Sequence, residues 1–308
     1  MKFSSWALTD TGRKRDHNED SLLRDDPLRL YAVADGMGGH QGGGYASRMA
    51  VDILRREISA AGDIDGAARA ILEADPLSAV LPQELGALFA KGSRAPAAPS
   101  LVRWGDGPSS DDSYEDISEM PTDPNLVVVP PAAATVLRAA ARAAGRSIYD
   151  AAQVEADLAG MGTTLTALLF HAGRAHFVHV GDSRAFLVRD GKAYQVTEDH
   201  SWIAEQVRAG VLTDAEARES KFRHIITRSV GFEREVDVDL LGVQVLPGDA
   251  FVLCSDGLSN YVDVDELGLV MGSTFSCKVP RLLVDLANDR GGDDNVTLIV
   301  IHAANDAG

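Results

Sequence analysis

Apolar and polar positions along residues 1–34 follow an extended pattern, and the stretch SLLRDDPLRLYAVADG splits into two apolar runs around Asp25, Asp26 and Pro27. That turn composition predicts a hairpin with a strand on each side. From Tyr45 onward the period lengthens. Ala46, Ala50, Ile53, Leu54 and Ile58 recur at helical spacing, and the alanine-rich run from Ala132 to Ala152 repeats the pattern. The second half is strand-rich, with TTLTALLF, AHFVHV, RAFLVRDGKAYQVT, DVDLLGVQV, DAFVLCS and NVTLIVIHA in succession. Asp190-Gly191 between apolar-alternating arms marks a two-residue hairpin. Short helices are expected near Ser201 to Ala209 and from Thr213, where Glu216 completes a capping box. Asp263 to Met271 and Val279 to Asn288 also read as helical. Roughly ten strands, clustered rather than alternating with helices, favour an α+β layered sandwich over a parallel doubly wound sheet.

Between the two long helices the pattern degrades, from about 62 to 130 and most clearly from 91 to 131. This reads as an insertion. Residues 105–125 hold seven acids and no lysine or arginine, a composition that cannot bury enough apolar surface to order itself. A solvated loop is the expectation, with a docking site or regulatory lid as the other reading.

Composition narrows the choices. The chain has 308 residues, 45% of them hydrophobic, enough for a sizeable core. A formal net charge of −17 argues against nucleic acid or anionic lipid as partner, because both reward lysine and arginine. No stretch approaches a membrane span and the start carries no apolar signal block, so the cytoplasm is the expected location. Cys254 and Cys277 are the only cysteines. Each stands alone among apolar or small neighbours, and both are expected to be buried thiols rather than zinc or redox ligands.

The chemistry concentrates at strand ends. In VADGMGGHQGGG an apolar run meets Asp35, and six of the next nine residues are glycine. Such a backbone turns sharply and passes close to a ligand. Asp182, Asp256 and the Asp293-Asp294 pair recur in the same setting, and Glu19 and Asp20 open an early strand. Any one of these is ordinary turn chemistry. Five in one sandwich bring acids to a shared edge, where bare carboxylates repel and raise one another's pKa. Cations relieve that repulsion, and all-oxygen ligands select Mg²⁺ or Mn²⁺ over zinc. Asp35 then bridges cations, and the Gly36 carbonyl comes near enough to act as a further ligand. A nucleotide cradle fits poorly, because GMGGHQGGG lacks both the Lys-Ser/Thr ending of a P-loop and the G-x-G-x-x-G register.

TDTGRKRDHNEDS, VADGMGGH, GMGTTLTALLF, HVGDSRAFLVRDG, ITRSVG, CSDGLSNYV and GGDDNVTLIVI occur in this order. The series resembles the type 2C (PPM family) metal-dependent protein Ser/Thr phosphatases in their bacterial form, over nearly the whole chain except roughly 62–130. The resemblance implies a single catalytic domain over 1–308, with two antiparallel sheets in a central sandwich flanked by helices in αββα layers. It implies a pair of Mn²⁺ or Mg²⁺ ions, with Asp35 bridging both, Asp256 and Asp294 completing one, and the Gly36 carbonyl binding the other. Glu19 and Asp20 would act through bound waters, and Arg15 would grip the phosphate. The implied reaction is hydrolysis of phosphoserine and phosphothreonine in proteins, by a metal-bridging hydroxide attacking phosphorus in line without a phosphoenzyme. The implied partners are phosphoproteins modified by a bacterial Ser/Thr kinase, and the expected state is a monomer. A pseudophosphatase that binds phosphoproteins without turnover is the alternative.

Two positions depart from the family pattern. Asp182 matches the acid of a third, weaker metal site, but its usual aspartate partner is replaced here by Asn260. A neutral amide binds a cation less well, which lowers the expected affinity of that site. Met37 stands where eukaryotic relatives carry a histidine. His40 and His17 are then the candidate proton donors to the leaving group, alongside a metal-bound water.

Overall fold

Alternation along the third strand decides the layering. Leu30, Ala32 and Ala34 join a core shared with helices, whereas Tyr31 and Val33 join a second core between two sheets. A strand buried on both faces belongs at the centre of a multilayered domain. The computed structural model describes residues 1–38, 42–74, 102–104, 131–213, 216–217, 220–222 and 225–305. In chain order these form β1 (Lys2–Asp10), β2 (Asp20–Asp25), β3 (Leu30–Met37), α1 (Gly42–Ala61), α2 (Ile64–Ala74), β4 (Val102–Trp104) and α3 (Ala132–Val154). There follow β5 (Gly162–Thr163), β6 (Leu165–His171), β7 (Arg174–Val180), β8 (Arg184–Arg189), β9 (Lys192–Gln195) and α4 (Trp202–Arg208). The chain closes with β10 (Asp239–Gln244), β11 (Ala250–Cys254), α5 (Asp256–Ser259), α6 (Val264–Ser273), α7 (Val279–Asp289) and β12 (Val296–Ala304).

The strands build two antiparallel sheets. One runs β1-β12-β11-β8-β9, and the other runs β2-β3-β6-β7-β10-β4 with β5 paired to β3. Tyr31, Phe170, Phe177, Phe251, Leu187 and Ile299 fill the space between them, with Phe170 edge-on to Phe251 at 5.2 Å between ring centroids. Helices α1 and α3 cover the outer face of the second sheet through Leu54 and Leu137, and α2 packs on α3 through Ala68. Helices α5, α6 and α7 cover the first through Leu258, Leu267 and Leu283. The expected αββα order is therefore present.

The hairpins and caps follow local chemistry. Asp190 and Gly191 both take positive φ, the type I′ geometry that twists with its strands. Ser201 caps α4 by accepting from the Ala204 amide. Thr213 and Glu216 form the expected reciprocal box, with the Glu216 amide 3.3 Å from Thr213 Oγ1 and the Thr213 amide 2.9 Å from Glu216 Oε2.

Other expectations need revision. The extended first segment holds three strands, because β1 leaves the hairpin to pair with β12 along its whole length. Residues 64–74, inside the degraded stretch, form α2, whose Ile64, Ala67, Ala68 and Ile71 lie against the helical core. Further into it, residues 102–104 form β4 on the edge of β10, whose backbone groups offer a ladder irrespective of composition. The acid-rich residues 105–125 lie outside the described residues. Cys254 is buried as expected, but Cys277 is exposed in the turn between α6 and α7. Among the described residues no helix is long and apolar enough to cross a membrane.

Candidate active site

The sheet registers carry the acids to one edge. In the β2–β3 ladder Asp20 stands directly opposite Asp35, a pairing that destabilises a sheet when both are charged. Asp182 occupies the turn between β7 and β8, Asp256 opens α5 after β11, and Asp294 precedes β12. Burial, and then Asp20, Asp256, Asp182 and Asp294 around it, hold the Asp35 carboxyl well above the usual carboxylate range. Burial raises Asp20 to about 7, with Asp256 and Asp294 adding to the effect against hydrogen bonds from Thr297 and Ser255. Asp182 is pushed up to about 8 by burial, then by Asp256 and Asp199. Five acids from separate parts of the chain thus share one field.

Short hydroxyl and amide side chains hold the turns together. The Asp35 amide donates to Thr164 Oγ1 at 2.9 Å, and that hydroxyl meets Ser183 Oγ at 2.8 Å. Thr163 Oγ1 donates to the Asp35 carbonyl at 2.9 Å. Ser255 Oγ donates to Asp20 Oδ2 at 2.8 Å and accepts from the Thr297 amide at 3.0 Å. Asn295 accepts from the Glu19 amide at 2.8 Å and donates to the Thr11 and His17 carbonyls at 2.9 and 3.0 Å. Residues 11–19 are thereby tied to the start of β12. The sequence reading did not single out Thr163, Thr164, Ser183, Ser255 or Asn295. Ser183, Ser255 and Asn295 each stand next to an aspartate in sequence, and that adjacency is the signal that would have found them, whereas Thr163 and Thr164 lie in GMGTT, which holds no acid, and meet Asp35 only through the fold.

Arg15 and Glu19 complete the rim. Arg15 Nη2 reaches Asp294 Oδ2 at 2.8 Å, while Asp294 Oδ1 accepts from the Asn295 amide at 2.8 Å. Glu19 Oε1 is buried without a hydrogen bond, 3.4 Å from His17 Nε2. Asn260 Nδ2 donates to Asp256 Oδ2 at 3.1 Å. Gly36 is packed against the start of α1, and a methyl there would sit 2.7 Å from the Glu19 carbonyl oxygen and closer still to the Gly43 carbonyl. Close approach of two backbones therefore requires glycine at this position. His40 lies outside the described residues.

Among the described residues, no three His, Cys, Asp or Glu side chains stand close enough to hold a metal ion as they are. Arg15, Ser255 and Asn260 instead occupy oxygens of Asp294, Asp20 and Asp256. The donor set nevertheless fits divalent cations. It is all oxygen and densely acidic, and Asp20 Oδ1 is buried with no hydrogen-bond partner, a state that is unfavourable unless a positive ligand arrives.

A pH dependence follows from the raised acids. The folded Asp20 and Asp182 titrate near 7 and 8 instead of 3.8, so below about pH 4 both the folded and unfolded states are protonated. As pH rises through 4 to 8 the unfolded chain releases protons that the folded chain keeps, and the cation-free fold loses stability. Buried His176 and His179, lowered to about 4 and about 3 by burial and then by Arg174 and His200 respectively, act in the opposite direction with or without cation. The gap in melting temperature between Mn²⁺-loaded and chelated protein is therefore expected to widen from pH 5 to pH 8. A gap that narrows over that range in thermal unfolding scans would show that the acids do not meet the cations.

Comparison with known proteins agrees with this picture. The profile described as Protein phosphatase 2C matches residues 110–281. A protein phosphatase 2C-type protein of Streptococcus pyogenes is 34% identical, covering 98% of this chain and 97% of its own. The serine/threonine phosphatase stp of Listeria monocytogenes is 30% identical, covering 95% of this chain and 93% of its own. The catalytic domain of the serine threonine protein phosphatase PstP in complex with two manganese ions superposes with a TM-score of 0.69 at 29% identity, covering 98% of this chain and 99% of that one.

Proposed function

Since this chain belongs to the protein phosphatase 2C family and is a serine/threonine phosphatase, we propose that its acidic edge holds two divalent cations and hydrolyses phosphoserine and phosphothreonine in proteins directly, without a phosphoenzyme. The observation that carries this reading is the convergence of Asp20, Asp35, Asp182, Asp256 and Asp294 on one field that burial makes unfavourable without positive charge. When bound, the ion pair supplies a water acidic enough to attack at neutral pH and neutralises charge on the phosphoryl oxygens. Asp35, opposite Asp20 at the centre of the cluster, would be shared by the two ions. Asp256 and Asp294 would hold one and the Gly36 carbonyl the other, while Glu19 and Asp20 would act through ordered waters.

Arg15 supplies the phosphate grip. Its guanidinium is already directed at the acidic edge, and its planar fork matches two phosphoryl oxygens. Its tie to Asp294 must open for both roles to be filled. Asn260 satisfies an oxygen of Asp256 with a neutral amide, which leaves Asp182 as the main ligand of a weaker third ion. His40 remains a candidate proton donor. The substrates are phosphoproteins, and a bacterial Ser/Thr kinase is the proposed source of the phosphate.

The test is hydrolysis of a phosphothreonine peptide with Mn²⁺, with Mg²⁺ and with chelator. Turnover is expected with either metal and is expected to vanish in chelator; persistence there would remove the metal mechanism. Acid quenching during turnover is expected to trap no phosphate on the protein. Asp182→Ala is expected to slow turnover about 10- to 100-fold while calorimetry still counts two tightly bound ions. A fully active Asp182→Ala enzyme would defeat the third-site assignment.

A further inference from the structure

His200 is buried at 3% exposure and lies outside the acid cluster, yet it holds both backbone groups of Gly181. Its amide donates to the Gly181 carbonyl at 2.7 Å, and its Nδ1 accepts from the Gly181 amide at 3.0 Å. Nδ1 must be unprotonated to accept, so the ring proton sits on Nε2, which donates to Asp239 Oδ2 at 3.2 Å. The other Asp239 oxygen accepts from Arg228 Nη1 at 2.9 Å. The residue before His200 adds a second tie. Asp199, preceding His200, takes a two-pronged bond from Arg184, with Nε to Oδ1 at 2.9 Å and Nη2 to Oδ2 at 2.6 Å. Residues 199–200 therefore bracket Asp182 and Ser183 on both sides.

Only glycine fits at position 181. Its φ is +110°, a conformation that L side chains rarely adopt, and a methyl there would meet the Thr164 side chain at 2.6 Å. The segment after His200 is bound into the same assembly. The Trp202 amide donates to the Ile225 carbonyl at 2.9 Å, and the Thr227 amide donates to the His200 carbonyl at 2.9 Å.

We propose that His200 is a positioning residue for the phosphatase reaction: it fixes the peptide before Asp182, and through Asp239 and Arg228 it makes the aim of that carboxylate depend on residues 225–228. The proposal rests on the reading of Asp182 as a ligand of the weaker third ion. Outer partners of metal ligands commonly contribute 10- to 100-fold in metal affinity or activity.

The test is a double-mutant cycle of His200→Ala with Asp182→Ala, read by kcat and KM at saturating Mn²⁺ and by amide hydrogen exchange at Gly181 in the cation-free protein. His200→Ala is expected to lower kcat about 10-fold with KM within twofold, and to slow the Asp182→Ala enzyme no further. Gly181 is expected to lose exchange protection at least tenfold while the β6–β7 ladder keeps its own. A slow Asp182→Ala enzyme beside a fully active His200→Ala enzyme would overturn the proposal and leave the reading of Asp182 standing. An Asp182→Ala enzyme of undiminished rate would remove both. Should His200→Ala fail to fold, Arg228→Met at the outer end of the tether is expected to lower kcat about threefold, again without effect on the Asp182→Ala background. Losses that multiply in that double variant would overturn the proposal.

Discussion

Replacing Asp35 by asparagine is expected to reduce turnover at least about 10³-fold, the several kcal/mol that charge stabilisation by bound cations supplies, and at the same time to raise the melting temperature of the cation-free protein. The two effects share one cause. Asp35 faces Asp20 across a ladder and feels three further acids, so its negative charge is the best placed to hold cations and the most unfavourable without them. Asparagine keeps the shape and removes the charge. With a folded carboxyl held well above its ordinary range, the gain in stability is greatest above neutral pH and fades toward pH 4, where the unfolded chain's carboxyl binds the proton as well. A peptide phosphatase assay and melting scans in chelator at pH 8 measure both effects. An Asp35→Asn enzyme within tenfold of the parent rate would remove Asp35 from the centre of the mechanism, and a lower melting temperature would deny the repulsion.

Gly36→Ala is expected to destabilise the fold by about 3 kcal/mol or more, the upper range for overpacking, and to take most activity with it. The added methyl meets the backbone of Gly43 and Glu19 rather than a side chain able to turn away. Either the start of α1 or the start of β2 must move, and both border the acids. Gly272→Ala is the matched contrast. It lies in α6, has no neighbour within 4 Å of the added carbon, and is expected to stabilise by roughly 0.5–1 kcal/mol through helix propensity. Urea unfolding of the two variants beside the parent tests the pair. Equal midpoints would mean that the Gly36 contact yields without strain.

Much of the site was legible because its acids sit at strand ends, where an apolar run stopping at Asp-Gly is visible in one dimension. The sandwich was legible for the same reason, since β6, β11 and β12 are largely apolar segments. Three features were not. The pairing of β1 with β12 joins residues 2–10 to residues 296–304, a contact that no local pattern encodes. Helix α2 sits in a stretch whose average composition is loop-like, although Ile64, Ala68 and Ile71 keep helical spacing. His200 reads as one more residue after an acid, and its work appears only once Gly181 and Asp239 are brought beside it. Cys277 misled because small and apolar neighbours in sequence do not bury a turn.

The ladder between β1 and β12 also bears on how this molecule assembles. Contacts between residues about 300 positions apart, as in Lys2 opposite Ala304, raise contact order and slow folding, because a long loop must close before they form. Asp294 and Asn295 lie at the threshold of that final strand, and Asn295 ties down residues 11–19. The acidic edge is therefore complete only in a chain whose two ends have paired.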